Sequence, residues 1–167
     1  MILIEHLGGE CMQYVDPYET RRRVRSRILK KVLHAEAVTF DAGVRHRDCH
    51  PRNVILLGSA YDAPDLKVKI IDFNIAGVLE LEGNVGRLNK LKQPWSGKIF
   101  SPIVRHSSSV VNFFAYGWCS SKDKEAENWP WRHFKDDQQY YPVTWDLKHP
   151  FVRPKYQEDR VPNPAAD

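Results

Sequence analysis

Two short strand-like runs, Val54–Leu57 and Lys67–Ile71, flank the loop Gly58-Ser59-Ala60-Tyr61-Asp62-Ala63-Pro64-Asp65, and this arrangement constrains the fold more than any other part of the chain. The Gly, Asp and Pro of the loop punctuate a turn, and β-branched residues recur in the runs, so the pair predicts an antiparallel hairpin. In a hairpin, the residue entering the first strand and the residue leaving the second share one end of the ladder. Asn53 and Asp72 hold those two places. An amide and a carboxylate, distant in sequence, then lie side by side, an arrangement suited to a hard cation such as magnesium.

The polar stretch before the first strand, His46-Arg47-Asp48-Cys49-His50-Pro51-Arg52-Asn53, adds a second carboxylate to the same corner. Further upstream, Asp16-Pro17-Tyr18-Glu19 reads as a helix start, with Asp16 as cap and Glu19 completing a capping box, and predicts a long helix to about Phe40. Val24, Ile28, Val32, Leu33, Ala35 and Val38 recur at spacings of three and four and form its expected buried face. Arg21, Arg22, Arg23, Arg25, Arg27, Lys30 and Lys31 fill the remainder as a solvated face, and Gly43 supplies the stop. At the start, Met1–Leu7 reads as a short strand ending in Gly8-Gly9.

Downstream of Asn74, glycines and prolines punctuate the sequence as far as Pro102, which suggests an irregular segment covering a site, with Val78-Leu79-Glu80-Leu81 its one regular piece. Ser109–Cys119 is rich in large apolar residues and predicts a buried helix. The stretch with Trp129, Trp131, Tyr140, Tyr141 and Trp145 suggests packed loops and short helices, and residues 163–167 a disordered tail. A length of 167 residues and 42% hydrophobic content allow one domain with a real core. The net charge of +4 is compatible with a phosphate ligand and far short of a nucleic-acid tail. Three unpaired-looking cysteines argue against a disulfide framework and for an intracellular, reducing setting, and no run is long and apolar enough for a membrane span.

At His46-Arg47-Asp48 and Asn53, with Asp72-Phe73-Asn74 downstream, the sequence resembles the C-terminal lobe of the protein-kinase-like fold, whose catalytic loop reads H-R-D-x-x-x-x-N. The metal motif D-F-G is matched at Asp72 and Phe73 and departs at Asn74, a residue type that tolerates a left-handed backbone. The resemblance implies an α+β fold, mainly helical, with the small hairpin carrying the metal site. It implies that Asp48 serves as base toward an acceptor hydroxyl, that Arg47 ties the loop to an activation-like segment at 75–105, and that His46 and Phe73 pack the core. Asn53 and Asp72 would hold Mg2+ beneath the phosphates of ATP, and Glu5, His6 and Leu7, similar to a kinase hinge, would meet the adenine. His50 stands where protein kinases usually have lysine. There the loop is similar to that of the aminoglycoside and choline phosphotransferases, so the acceptor is a protein or a small-molecule hydroxyl. Tyr141–Asp146 with Val152–Tyr156 resembles the ending of kinase-like proteins common in fungi.

No glycine-rich phosphate loop, V-A-I-K-type lysine or A-P-E motif is found. The chain therefore reads as residues 1–9, a hinge-like strand, followed by a C-terminal lobe over 10–162 without its N-terminal lobe. Such a lobe is expected to be weak or inactive alone, since positioning is nearly the whole of phosphoryl-transfer catalysis. A non-catalytic kinase-like binding module is the alternative, and the surface where an N-terminal lobe would sit could drive self-association. His46, Asp48, Cys49 and His50 are all zinc-ligand types, but Pro51 and the strand behind them favour an ordered catalytic loop. Nucleic-acid binding through the arginines lacks interleaved exposed aromatics. His34, His106 and His133 are expected to be ordinary surface or packing residues.

Overall fold

Helix α1 (Arg22–Asp41) is the element on which the rest packs. The computed structural model describes residues 8–79, 97–106, 113, 115–119, 123–146 and 153–156. Among them the fold is mixed α+β, with α1, a short α2 (Pro102–Arg105), α3 (Asp123–Phe134) and small antiparallel sheets. The expected strand at Met1–Leu7, the tail at 163–167, residues 80–96 of the activation-like segment, and residues 109–112 and 114 of the expected helix at Ser109–Cys119 lie outside the described residues.

The helix starts later than the sequence suggests. Asp16 Oδ1 accepts from Tyr18 N at 2.7 Å, and Thr20 N donates to the Asp16 carbonyl, so Asp16 closes its own turn. A side chain that satisfies its near neighbour no longer reaches the amides of a helix's first turn, and helix formation begins at Arg22 without a side-chain cap. The stop comes at the expected place. Ala42 and Gly43 donate back to Val38 and Phe40, with Gly43 at φ 90°, a conformation that favours glycine.

The buried stripe on α1 is Ile28, Leu29, Val32, Leu33, Glu36, Ala37 and Phe40. Val38, expected inside, is 43% exposed. The step of three from Ala35 to Val38 leaves the buried stripe, whereas steps of four from Val32 hold it through Glu36 and Phe40. Full burial of Ile28, Leu29, Val32 and Leu33 stabilises the fold by about 1.5–3 kcal/mol each. They meet Met12, Val54, Leu56, Trp118, Trp129 and Phe134 in the main core. A smaller cluster of Phe40, Leu79, Phe100 and Tyr141 closes the C-terminal end of the helix. The arginine face is only partly free: Arg25 donates to the Gly117 carbonyl, and Arg27 to those of Asp62 and Ala63.

The predicted hairpin is present. β3 (Val54–Leu57) pairs with β4 (Lys67–Ile70) in the register Val54↔Ile70 to Leu57↔Lys67, and β1 (Glu10–Cys11) adds on the other side of β3. β1 approaches so closely that a Cβ on Gly9 would lie 2.6 Å from the Leu56 carbonyl oxygen, which only glycine permits. A second pair joins β2 (Val44–Arg45) to β5 (Gly77–Val78), and a third joins β6 (Val143–Asp146) to β7 (Arg153–Tyr156).

Candidate functional site

The site is made by two loops that their strands force together. Residues 46–53 connect β2 to β3, and residues 71–76 connect β4 to β5; β3 pairs with β4, and β2 with β5. Each loop is thus tied to the other at both of its ends. Buried His46 adds a cross-link. Its Nε2 donates to the Ile71 carbonyl at 2.8 Å while its Nδ1 accepts from Asp48 N at 3.3 Å, a pair of bonds that selects the tautomer with the proton on Nε2. Ile71 N in turn donates to the Asn53 carbonyl at 2.9 Å. The residue before Asp72 is therefore gripped from both ends of the 46–53 loop, and the register of the two strands sets Asn53 opposite Ile71, the chain neighbour of Asp72.

Asp48 lies at the centre of the loop's polar contacts. Its Oδ2 accepts from Arg52 Nη2 at 2.7 Å and from Asn53 Nδ2 at 2.8 Å, and the same Nδ2 lies 3.0 Å from the Asp48 carbonyl. Partial burial pushes the Asp48 carboxyl up, but the hydrogen bonds from Arg52 and Asn53, together with the Arg52 charge, outweigh it and hold the pKa below the ordinary value. The group is ionised at neutral pH. With its nitrogen committed to Asp48, Asn53 presents Oδ1 as the remaining hard-oxygen donor.

His50 is buried, and its Nδ1 accepts from Arg52 N at 3.2 Å, capping the short 3-10 turn Pro51–Asn53. Burial and the nearby Arg52 charge lower its pKa, so the ring is neutral at pH 7 with its proton on Nε2. Tyr116 meets the ring edge-on, centroids 4.6 Å apart. Cys49 faces inward, where burial and the Glu36 charge push its thiol far above the reactive range. Cys11 Sγ contacts the Arg52 carbonyl at 3.3 Å, linking β1 to the same turn.

Two non-glycine residues among those described have positive φ, Arg47 at 67° and Asp72 at 62°, and both lie in these loops. Such conformations cost on the order of 1–2 kcal/mol and persist where the surroundings impose them. Asn74, the residue expected to use its tolerance of a left-handed backbone, does not; the positive φ falls on Asp72. Phe73, expected in the core, touches the His46 ring at 4.6 Å between centroids yet stays 44% exposed, because the turn after Asp72 carries it outward. Asp72 and Arg47 are exposed. Glu5, His6 and Leu7 lie outside the described residues, as do residues 80–96 of the 75–105 segment to which Arg47 was expected to tie the loop.

Among the described residues, no group of three or more His, Cys, Asp or Glu side chains gathers as a metal cage. Asn53 Oδ1 and the Asp72 carboxylate are each oxygen donors of the hard type that magnesium takes. Cavities of about 610 Å³, beside Tyr14 and Tyr61, and about 390 Å³, beside Lys31 and Tyr140, share no lining residue with this corner. No helix among the described residues is long and apolar enough to cross a membrane.

Three contributors escaped the sequence reading. Arg52 stands four residues after Asp48, a spacing that invites an ion pair once the loop tightens into a turn. Glu36 falls in phase with the apolar stripe of α1, and a carboxylate at such a position demands partners. It finds Arg105 Nη2 at 2.5 Å and His106 Nε2 at 3.0 Å, behind the loop that carries Cys49. His106 is thus part of a buried ion cluster and not an ordinary packing residue. No local signal points to Tyr116. No family model, curated protein or solved structure matches this chain.

Proposed function

We propose that loops 46–53 and 71–76 form the catalytic and metal-binding corner of an ATP-dependent phosphotransferase of the protein-kinase-like fold. One observation supports the reading: the loop that carries Asp48 and Asn53 is tied to the loop that carries Asp72 by two strand pairs and by the bond from His46 to the Ile71 carbonyl. In this reading Asp48, kept ionised by Arg52 and Asn53, orients an acceptor hydroxyl and takes its proton. Asn53 Oδ1 and Asp72 hold Mg2+, which when bound offsets the charge of the ATP phosphates. His50 offers Nε2–H as a neutral donor to a phosphoryl oxygen. The acceptor is a protein or small-molecule hydroxyl. Exposed Phe73, Ile75 and Val78 beside the corner are the apolar part of the surface through which self-association is proposed.

A second reading, a non-catalytic kinase-like binding module, draws on the same carboxylate: Oδ2 of Asp48 already serves Arg52 and Asn53, which leaves one oxygen for a hydroxyl. Calorimetry with Mg-ATP, and transfer assays with a kinase-like N-terminal lobe supplied by fusion, separate the two. The enzyme reading expects binding that weakens by about tenfold in Asp72→Ala, and transfer that falls by about 100-fold or more in Asp48→Ala while binding persists. Transfer that survives Asp48→Ala refutes the mechanism. Binding without transfer in any form of the protein selects the second reading.

A further inference from the structure

Arg27, Lys30, Lys31 and His34 follow one another at spacings of three and four on α1 and so share one face of the helix. That face forms one wall of the 390 Å³ groove, and His133, Gln139 and Tyr140 form the other. We propose that this groove docks an acidic peptide segment of a partner protein. The site is independent of the phosphotransfer reading, since it uses none of the residues of loops 46–53 and 71–76.

The groove keeps an excess of positive charge among the described residues. Arg27 is fixed by the carbonyls of Asp62 and Ala63, neutral acceptors that leave its positive charge intact. Lys30 lies over the Phe134 ring, 5.5 Å from its centroid, and 3.3 Å from Asp137, the carboxylate that pairs with a groove cation among the described residues. Lys31 has no ion-pair partner among the described residues. Three cations against one carboxylate leave the groove positive, and Ser26 and Gln139 add neutral hydrogen-bonding groups at its edges. The lysine and arginine stems give it an apolar lining, as a peptide with carboxylates on short stems requires.

The shape selects a peptide over a nucleic acid. Tyr140, the groove's phenol ring, is 2% exposed and its hydroxyl lies 2.8 Å from His34 Nδ1, so it offers no face on which a base can stack. The cavity is a short trough, room for two or three side chains and not a track for a phosphate backbone.

The test is fluorescence anisotropy of the whole chain with a fluorescein-labelled hexaglutamate peptide, alongside a single-stranded oligonucleotide of equal charge. Lys31→Glu is expected to weaken peptide binding by about tenfold, and Asp137→Asn to tighten it by about threefold by unmasking Lys30. Asp136, 87% exposed on its side chain and outside the groove, is the control: Asp136→Asn should leave binding unchanged. Circular dichroism verifies that each variant is folded. Equal effects of Asp136→Asn and Asp137→Asn, or indifference to Lys31→Glu, overturn the proposal in favour of a diffuse charge effect. An oligonucleotide that binds more tightly than the peptide and is lost in Lys31→Glu overturns it in favour of nucleic acid.

Discussion

Replacing Glu36 by Gln tests how the fold supports the loop above it. Glu36 is 3% exposed, with one oxygen on Arg105 and the other on His106, and Arg105 also stacks over Phe40 with its guanidinium carbon 3.6 Å from the ring centroid. Burial by itself would raise the Glu36 pKa, but the bond and charge of His106, then the charge and bond of Arg105, lower it from 4.5 to about 2. At about 1.4 kcal/mol per pKa unit, that depression corresponds to about 3 kcal/mol of native-state stability. Breaking a buried pair by removing one partner costs a similar amount, about 3–5 kcal/mol, because the other charges are left uncompensated.

The pH dependence has a definite sign. A carboxyl whose pKa is depressed on folding contributes fully above its unfolded value and loses that contribution as pH falls through its folded value. For Glu36 the window runs from pH 4.5 down to about 2. Urea denaturation of the two proteins at matched pH is the assay. The difference between wild type and Glu36→Gln should be about 3 kcal/mol at pH 7, and about 2 kcal/mol of it should be gone by pH 3. At neutral pH, Tm should fall by about 6–12 °C. A difference below about 0.5 kcal/mol, or one that does not change between pH 7 and pH 3, refutes the claim that this carboxylate is ionised and engaged in the folded chain.

Arg52→Ala removes a hydrogen bond and a positive charge from Asp48, so the Asp48 pKa should rise toward its ordinary value, as followed by carboxyl NMR titration; an unchanged pKa would mean that Asn53 alone keeps the group ionised. Asp72→Gly relieves a left-handed backbone at φ 62° and removes the carboxylate together. Thermal unfolding should therefore show a gain of up to about 1 kcal/mol, while under the phosphotransferase proposal Mg-ATP binding weakens as in Asp72→Ala, which keeps the strain. Gly9→Ala places a methyl 2.5 Å from Leu57 Cδ2 and 2.6 Å from the Leu56 carbonyl oxygen, so it should part β1 from β3 and cost about 1–3 kcal/mol in urea unfolding. Stability equal to wild type would show that β1 can shift freely.

The parts of the fold that could be read from sequence are those whose pattern is local. The hairpin Val54–Leu57 with Lys67–Ile70 announced itself through turn residues between two strand-forming runs, and its register set Asn53 opposite Ile71, the chain neighbour of Asp72. The same holds for the middle of α1, where Ile28, Val32 and Leu33 mark a buried face, and for the stop at Gly43. Misreadings arose where two local rules compete. Asp16 satisfied both a capping pattern and a tight-turn pattern, and the turn, which closes within two residues, took it. Val38 satisfied a step of three that the helix does not sustain.

Sequence alone determined which chemical groups this protein can bring to one corner, because Asp48, Asn53 and Asp72 are set by the order of residues around a hairpin. Tertiary structure decided how they are held. β2 and β5 are two residues each, too short to show any alternation, yet their pairing locks loop 46–53 against loop 71–76. His46 chooses its tautomer, Asp48 its partner in Arg52, and Glu36 its partners Arg105 and His106 only once distant segments have packed. Strand and helix periodicities come from the backbone and are written along the chain, whereas the partner of a buried charge is whatever the completed fold sets within about 3 Å of it.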